Sequence, residues 1–433
     1  MEKRTKWKIY NEDAVEWAKN YNKAKFHALL CDAPYHLTSI VKRFGGAKVT
    51  DSTKTSQKVR EKSDGYSRLI GTGFMGQTWD GGDLAFRSET WEAFGNVLHP
   101  GAFGMAFSAS RNWHRMAVAI EDAGFILHPT IFLWAYGSGF PKATNIDKQI
   151  DKKLGAEREE KGKKRLWGHN AGSGAGSFSK NQYEGQTGII REEPLTIPAT
   201  ELSRAWAGHR YGLQALKPAV EPIIVFQKPY EGRPLSNITQ TGAGALNIDA
   251  GRIPTNGEEV TINRFVDGAK PWGDAVGEEY ETEITRQGRW PANLFLTKAS
   301  GALLDRQTGD LEKSAGGASR FFYTVSDALE ESDPVYYCKK VSRKERNAGL
   351  EDKNPHPTIK PIDLCRYLSS LLLPPDKYTP RRIFIPFSGT GSEMIGAGLA
   401  GWDHIVGVEF DKENGYTDIA EKRLQHWLKE SSV

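Results

Sequence analysis

Three cysteines, Cys31, Cys338 and Cys365, stand far apart in 433 residues. No zinc-binding spacing and no disulfide framework can be built from them, so a reducing compartment, the cytoplasm, is the expected location. No apolar run reaches the roughly 18 residues that a membrane-spanning helix needs. The first residues are polar and lack the pattern of a signal peptide. A large excess of charge is also missing: 58 Lys and Arg face 54 Asp and Glu, a formal net charge of +4. A face for nucleic acid must therefore come from local clustering. There is no internal repeat, and no metal site is expected.

What is present is length and aromatic mass. A chain of 48.2 kDa with 12 Trp exceeds one small core and predicts a large domain with a second part or insertions. Its organising stretch runs from Lys25 to Tyr35. The apolar run Phe26-His27-Ala28-Leu29-Leu30-Cys31 reads as a buried strand and stops at Asp32-Ala33-Pro34-Tyr35. Ligands of open α/β sheets bind at such strand ends. A carboxylate, a backbone carbonyl and an exposed aromatic ring there suit a flat, amino-bearing ring; an ordinary strand-ending turn is the plain alternative.

Around this stretch the chain alternates. Asp13 is placed either to cap a helix over 14–20 or to touch a polar ligand. Residues 38–78 read as a long polar loop over the site. Ser88 is expected to cap a helix burying Trp91, Phe94, Val97 and Leu98, and Pro100-Gly101 to turn into a strand over 102–107. Ser110 is expected to cap a helix with Trp113, Met116, Ala117 and Ile120 on one face, followed by a strand over 130–134. Residues 137–216 break the pattern with a charged run, 152–165, and a Gly/Ser run, 171–179. Lys161, Lys163, Lys164 and Arg165 there suit either phosphate contact or a solvated insertion. A strand over 222–226 follows, then a Gly-rich region without an assignable fold. From residue 353 a Pro-stiffened segment leads to a helix over 362–373, a strand over 382–385, a helix over 394–400, a strand ending at Glu409 and a closing amphipathic helix with Arg423 snorkelling at its margin. The predicted fold class is α/β, a doubly wound, mostly parallel sheet of Rossmann-like type with an inserted recognition region.

Strand, Gly389-x-Gly391, helix, strand and Glu409 form the layout of a nucleoside-binding half. Met394 stands where a dinucleotide fingerprint has its third glycine. That favours a ligand without a pyrophosphate, such as S-adenosyl-L-methionine, over NAD.

Here the motifs resemble a family. Asp32-Ala33-Pro34-Tyr35 resembles the (D/N/S)-P-P-(Y/F/W) signature of amino-methyltransferases. Pro386-Phe387-Ser388-Gly389-Thr390-Gly391 resembles their F-x-G-x-G motif, and His356-Pro357-Thr358-Ile359-Lys360-Pro361 the segment preceding it. The order, catalytic motif first and cofactor motif last, is similar to the beta group of DNA adenine-N6 and cytosine-N4 methyltransferases. Two residues depart from the pattern: Ala33 replaces a proline, and Ile385 replaces an acid.

The resemblance implies direct methyl transfer from S-adenosyl-L-methionine to a base flipped out of double-stranded DNA. Asp32, Ala33, Pro34 and Tyr35 would form the catalytic motif. Asp13, Thr358, Lys360, Phe387, Ser388, Gly389, Gly391 and Glu409 would hold the cofactor, with His356 ordering its loop. Asp32 in the first position favours adenine N6 over cytosine N4. Two rival readings are an amino-methyltransferase acting on RNA or on a protein glutamine amide, whose motifs usually stand in the reverse order, and a catalytically inactive DNA-binding protein. The implied domains are a catalytic half over 1–142, a basic, Gly-rich insertion over 143–215, a returning strand over 216–227, a target-recognition region over 228–335 and a cofactor-binding half over 336–433. A restriction–modification setting is implied, with an endonuclease partner and the oligomeric state left open.

Overall fold

The computed structural model describes residues 5–35, 83–136, 141–168, 189–253, 260–265, 280–285, 288–308, 317–325, 341–356, 358–410 and 414–428. The loop over 38–78, the Gly/Ser run 171–179 and Cys338 lie outside them. The described residues fall into two units, one built from residues up to 35, from 83 and from 219 onward, the other from 139–218.

The first unit is organised by one sheet. Its strands are β1 (Lys6–Asn11), β2 (Phe26–Asp32), β3 (Leu98–Phe107), β4 (Ile126–Leu127), β5 (Phe132–Ala135), β6 (Val220–Gln227), β7 (Leu294–Thr297), β8 (Tyr323–Val325), β9 (Arg382–Pro386) and β10 (His404–Glu409). They lie in the order β1-β10-β9-β2-β3-β6-β5-β7-β8, with β4 also on β6. Strand β6 runs antiparallel to β3, β4 and β5; the pairs joining β1, β10, β9, β2 and β3, and those joining β5, β7 and β8, are parallel. The sheet is thus mostly parallel, as its apolar, unalternating strands predict.

Helices cover both faces. On one, α1 (Ala14–Asn20), α2 (Ser88–Val97) and α3 (Trp113–Asp122) bury Trp17, Trp91, Phe94 and Ile120 in a common core with Leu29, Cys31 and Phe384. On the other, α4 (Ile362–Leu372), α5 (Ser392–Ala400) and α6 (Tyr416–Leu428) pack Leu368, Ile395 and Leu424 with Ala28, Leu30 and Ile385. The fold is doubly wound.

Several local expectations change. Ser88 is the first helical residue rather than the cap; Arg87 takes the cap position without a side-chain cap, and Thr90 Oγ1 donates to Leu84 O at 2.7 Å instead. Ser110 is not a cap either, because α3 begins after Asn112. Pro100-Gly101 does not precede its strand. Leu98 already pairs with Phe26, and the register shifts before Ala28 meets Phe103, so Pro100 and Gly101 (φ 80°) form an irregularity inside β3. The stretch 228–335 adds β7 and β8 to the sheet and contributes a hairpin of Val260–Phe265 with Tyr280–Thr285.

The second unit is folded where it is described. A helix, Ile146–Leu154, lies beside an antiparallel ribbon of Glu160–Gly168 with Ile189–Thr196. Buried Asp151 accepts from Ala199 N at 3.0 Å and Thr200 Oγ1 at 2.9 Å, and pairs with Arg158. Part of the charged run, expected as a phosphate face or a solvated insertion, therefore forms a strand of this ribbon. No helix of the described residues is long and apolar enough to cross a membrane.

Candidate active site

The carboxyl ends of β2, β9 and β10 deliver Asp32, Pro386 and Glu409 to one edge of the sheet. Strand β6 runs the other way, so its start brings Glu221 to the same edge. From β9 the chain winds toward β10, and from β2 toward β3. The crevice between the ends of β9 and β2 is thus the topological switch point of the fold.

Asp32 sits at that point. Its Oδ2 accepts from the Lys360 ammonium, while its Oδ1 is buried and has no hydrogen-bond partner. Lys360, only 4% exposed, stands 3.7 Å from Glu221 Oε2 and lies over the rings of Tyr35 and Phe107, with centroids at 5.2 and 5.0 Å. It is not a surface lysine. The Tyr35 hydroxyl donates to Glu221 Oε2 at 3.3 Å, and the Asn112 amide donates to the Tyr35 carbonyl. The ring expected to be exposed is half-buried. Burial, reinforced by Asp32, pushes its phenol well above the usual range, so it remains a neutral donor. Ala33 is buried and Pro34 half-buried beside it.

The segment before α4 is a braced arm. Buried Asn354 donates to Thr390 Oγ1 at 3.2 Å, His356 N to Asn354 Oδ1 at 3.0 Å and Thr358 N to His356 Nδ1 at 3.3 Å. The Arg346 guanidinium donates to the His356 carbonyl, and Glu345 Oε1 accepts from Ile362 N at 2.7 Å. This bracing carries Lys360 to Asp32; Thr358 itself is exposed.

Burial lowers the His356 pKa from 6.5 to about 4, leaving a neutral ring whose Nδ1 is an acceptor. The unfolded chain binds this proton near 6.5 and the folded chain only near 4. Stability from this group is therefore complete above the upper value and lost as pH falls through the lower. Relative to wild type, His356→Asn should flatten the stability profile across that window by on the order of 2 kcal/mol, read from urea midpoints at stepped pH. An unchanged slope would refute it.

The turn after β9 holds three left-handed residues in a row of five: Phe387 (φ 56°), Gly389 (φ 50°) and Gly391 (φ 81°). Phe387 is the one non-glycine with positive φ among the described residues, a strain characteristic of functional turns. Gly389 N donates to Glu409 Oε2 at 2.7 Å, so Glu409 braces the turn. Ser388 N bonds to Val408 O at 3.1 Å, and Ser388 Oγ is buried without a partner. Arg423 does not snorkel. It is 0% exposed and donates to Thr390 O, to Thr390 Oγ1 at 3.1 Å and to Ser392 Oγ at 3.3 Å, clamping the turn from beneath. Met394 packs its sulfur against Gly407, where an added Cβ would come within 2.3 Å of it.

The two glycines differ. A Cβ on Gly391 would meet Ala420 Cβ at 3.2 Å, whereas one on Gly389 would have no neighbour nearer than His356 Nε2 at 3.5 Å. Gly389 is thus the less crowded of the two, with the His356 ring in ordinary contact range. Asp13 caps α1 through bonds from Val15 N at 2.9 Å and Glu16 N at 3.0 Å. It remains at the same edge, two residues beyond Asn11, the register partner of Glu409.

Three contributors carry no motif in the sequence. Asn112 and Glu221 hold Tyr35. Glu393, on the first turn of α5, is buried, and burial together with Asp32 holds its carboxyl well above the usual carboxylate range. The acid at the head of the apolar strand 222–226 was the sole signal for Glu221.

No family model matches the chain, and no curated protein matches it. Among solved structures it is similar to the complex of M1.HpyAVI with SAM, at 12% identity over 96% of this chain and 99% of that one, with a TM-score of 0.35. It is similar to a putative DNA modification methylase of Thermus thermophilus, complexed with S-adenosyl-L-methionine, at 11% identity over 99% and 98%, TM-score 0.34. The cytosine-N4-specific PvuII DNA methyltransferase aligns at 12% identity over 98% and 94%, TM-score 0.39. Likenesses this distant decide nothing about chemistry.

Proposed function

We propose that this chain is a beta-group DNA amino-methyltransferase, moving a methyl group from S-adenosyl-L-methionine to the exocyclic amino group of a flipped base, adenine N6 ahead of cytosine N4. The observation that carries the reading is Asp32 Oδ1, a buried carboxylate oxygen without a partner at the switch point of a doubly wound sheet. Buried acceptors are nearly always satisfied, so an orphan in a crevice asks for a donor from outside. An amino group is such a donor.

The residues present fit the cofactor. The uncrowded Gly389, the unpartnered Ser388 Oγ and the strained Phe387 backbone make a cradle beside Glu409. Phe387, Ser388, Gly389 and Gly391 would line it, with Glu409 and Asp13 at its ribose and base side and Thr358 at its rim. Lys360 is better assigned to Asp32 than to the cofactor. When bound, S-adenosyl-L-methionine supplies an electrophilic methyl group.

The chain's own groups do the rest. Lys360 donates to Asp32 Oδ2 and fixes it, which leaves Oδ1 to accept from the target amino group. The Ala33 carbonyl is the second acceptor, and alanine supplies it as proline would. Tyr35 offers its face to the base. These contacts aim the nitrogen lone pair, and Asp32 Oδ1 is the acceptor placed to take the proton the nitrogen gives up. Catalysis is positioning and electrostatics, without a covalent enzyme intermediate. Target recognition falls to the region over 228–335.

The deciding experiment incubates double-stranded DNA with the protein and isotopically labelled cofactor, digests it to nucleosides and reads them by mass spectrometry. Labelled N6-methyladenine is expected. N4-methylcytosine would move the base assignment, and no label in any DNA would overturn the reading. Sequencing the modified sites after exchange of residues 254–287 should show a changed target; an unchanged one would place recognition elsewhere.

The cradle has its own test. Gly389→Leu should abolish the binding heat of S-adenosylhomocysteine by adding bulk over the turn beside His356, at a backbone cost of about 1–2 kcal/mol for the left-handed conformation. A leucine variant that binds as wild type does would exclude this turn as the cofactor site.

A further inference from the structure

We infer that Glu221 is the positioning residue of the catalytic tyrosine, acting on the reaction through the Tyr35 hydroxyl. The inference rests on the proposed methyl transfer and adds to it a residue from outside every recognised motif.

The geometry is specific. Glu221 is 7% exposed in β6, the strand that runs against its neighbours β3 and β5. Reversal is what matters here: a parallel strand in that place would put its first residue at the far edge. Register places Ile223 opposite Phe107, the last residue of β3, so Glu221 projects past the end of that strand, next to the catalytic motif. There Glu221 Oε2 accepts the Tyr35 hydroxyl at 3.3 Å and stands 3.7 Å from the Lys360 ammonium. Asn112 holds the Tyr35 backbone from the other direction through its carbonyl. Tyr35 is thereby fixed at both ends, backbone and hydroxyl.

A ring that must present one face to an incoming base benefits from such fixation. Loss of this acceptor would weaken the hold on a half-buried phenol and leave the ring freer to turn. A carboxylate also serves better than a neutral acceptor, because the same oxygen draws Lys360 across the Tyr35 ring. Asp32, Tyr35 and Lys360 are then one unit with Glu221 at its base.

The test is a double-mutant cycle in the full chain. Tyr35→Phe should lower kcat about tenfold and Glu221→Ala at least as much, since it also withdraws a carboxylate from Lys360, and the double variant should fall no further than Glu221→Ala alone, because the hydroxyl–carboxylate contact is shared. The dissociation constant of S-adenosylhomocysteine should stay at the wild-type value in all three. Glu221→Gln keeps an oxygen for the hydroxyl and should recover most of the rate lost in Glu221→Ala. A merely structural glutamate would instead lower cofactor affinity and rate together and would show no recovery with glutamine. Multiplicative losses in the double variant, or parallel loss of cofactor binding, would overturn the inference. If the wild-type chain modifies no DNA, the functional reading fails separately. The unfolding midpoints of the same four proteins then read the Glu221–Tyr35 tie: non-additive shifts support it and additive shifts overturn it.

Discussion

Asp32→Asn is expected to lower methyl transfer by about 10²–10³-fold, the loss typical when one preorganised group facing the reacting centre is neutralised. The change is close to isosteric, so the crevice keeps its shape. What it removes is the charge that makes Oδ1 a strong acceptor for an amino hydrogen and a destination for the departing proton. Cofactor affinity should stay within about twofold, because Asp32 ends β2 while the cradle follows β9. Single-turnover kinetics with labelled cofactor measure the first quantity and calorimetry the second. An asparagine variant with a wild-type turnover rate would remove Asp32 from the chemistry and with it the central claim about this site.

Lys360→Met is expected to have the largest effect on stability. The lysine is 4% exposed and answers two carboxylates, with Glu393 close behind. Removing one partner of a buried ion pair leaves the other charge uncompensated, a loss of about 3–5 kcal/mol. Here Asp32 and Glu221 would also be left to repel one another. The deficit should narrow on acidification, as Glu393, its pKa raised to about 7 by burial and Asp32 and no longer lowered by Lys360, takes a proton, so denaturation at about pH 7.5 and about pH 5.5 should show a smaller difference from wild type at the lower value. A surface lysine would give a loss near zero at both. That result would return Lys360 to the cofactor side or to solvent.

The helix and strand pattern around both motifs was legible in order of residues alone, because it depends on near neighbours. Buried strands such as Phe26–Asp32 and Arg382–Pro386 announce themselves by unbroken apolar runs. Asp13 caps α1 through bonds to residues two and three places on, an interaction local by nature. Gly389 and Gly391 sit where left-handed backbone is needed, and glycine adopts it with least cost. The doubly wound class followed from the alternation.

Local pattern was less reliable where a second bonding option competed. Ser88 and Ser110 look like caps, yet Thr90 bonds to Leu84 O, and α3 starts only after Asn112, whose amide is turned to the Tyr35 carbonyl. Pro100-Gly101 looks like a turn, yet pairing with β2 carries the strand through it.

The rest was decided by tertiary structure. Lys360 and Asp32 are 328 residues apart, and their pairing exists only because β9 lies against β2. Arg423 has the spacing of a helix margin, but the turn beneath α6 gives it carbonyl and hydroxyl partners, which makes burial of a guanidinium tolerable. Glu221 reached the site because β6 runs in reverse, a direction that its apolar residues share with any buried strand. Periodicity and turn chemistry record which face of an element is buried. They carry no information on which distant element buries it, and the charges at this site take their roles from that second fact.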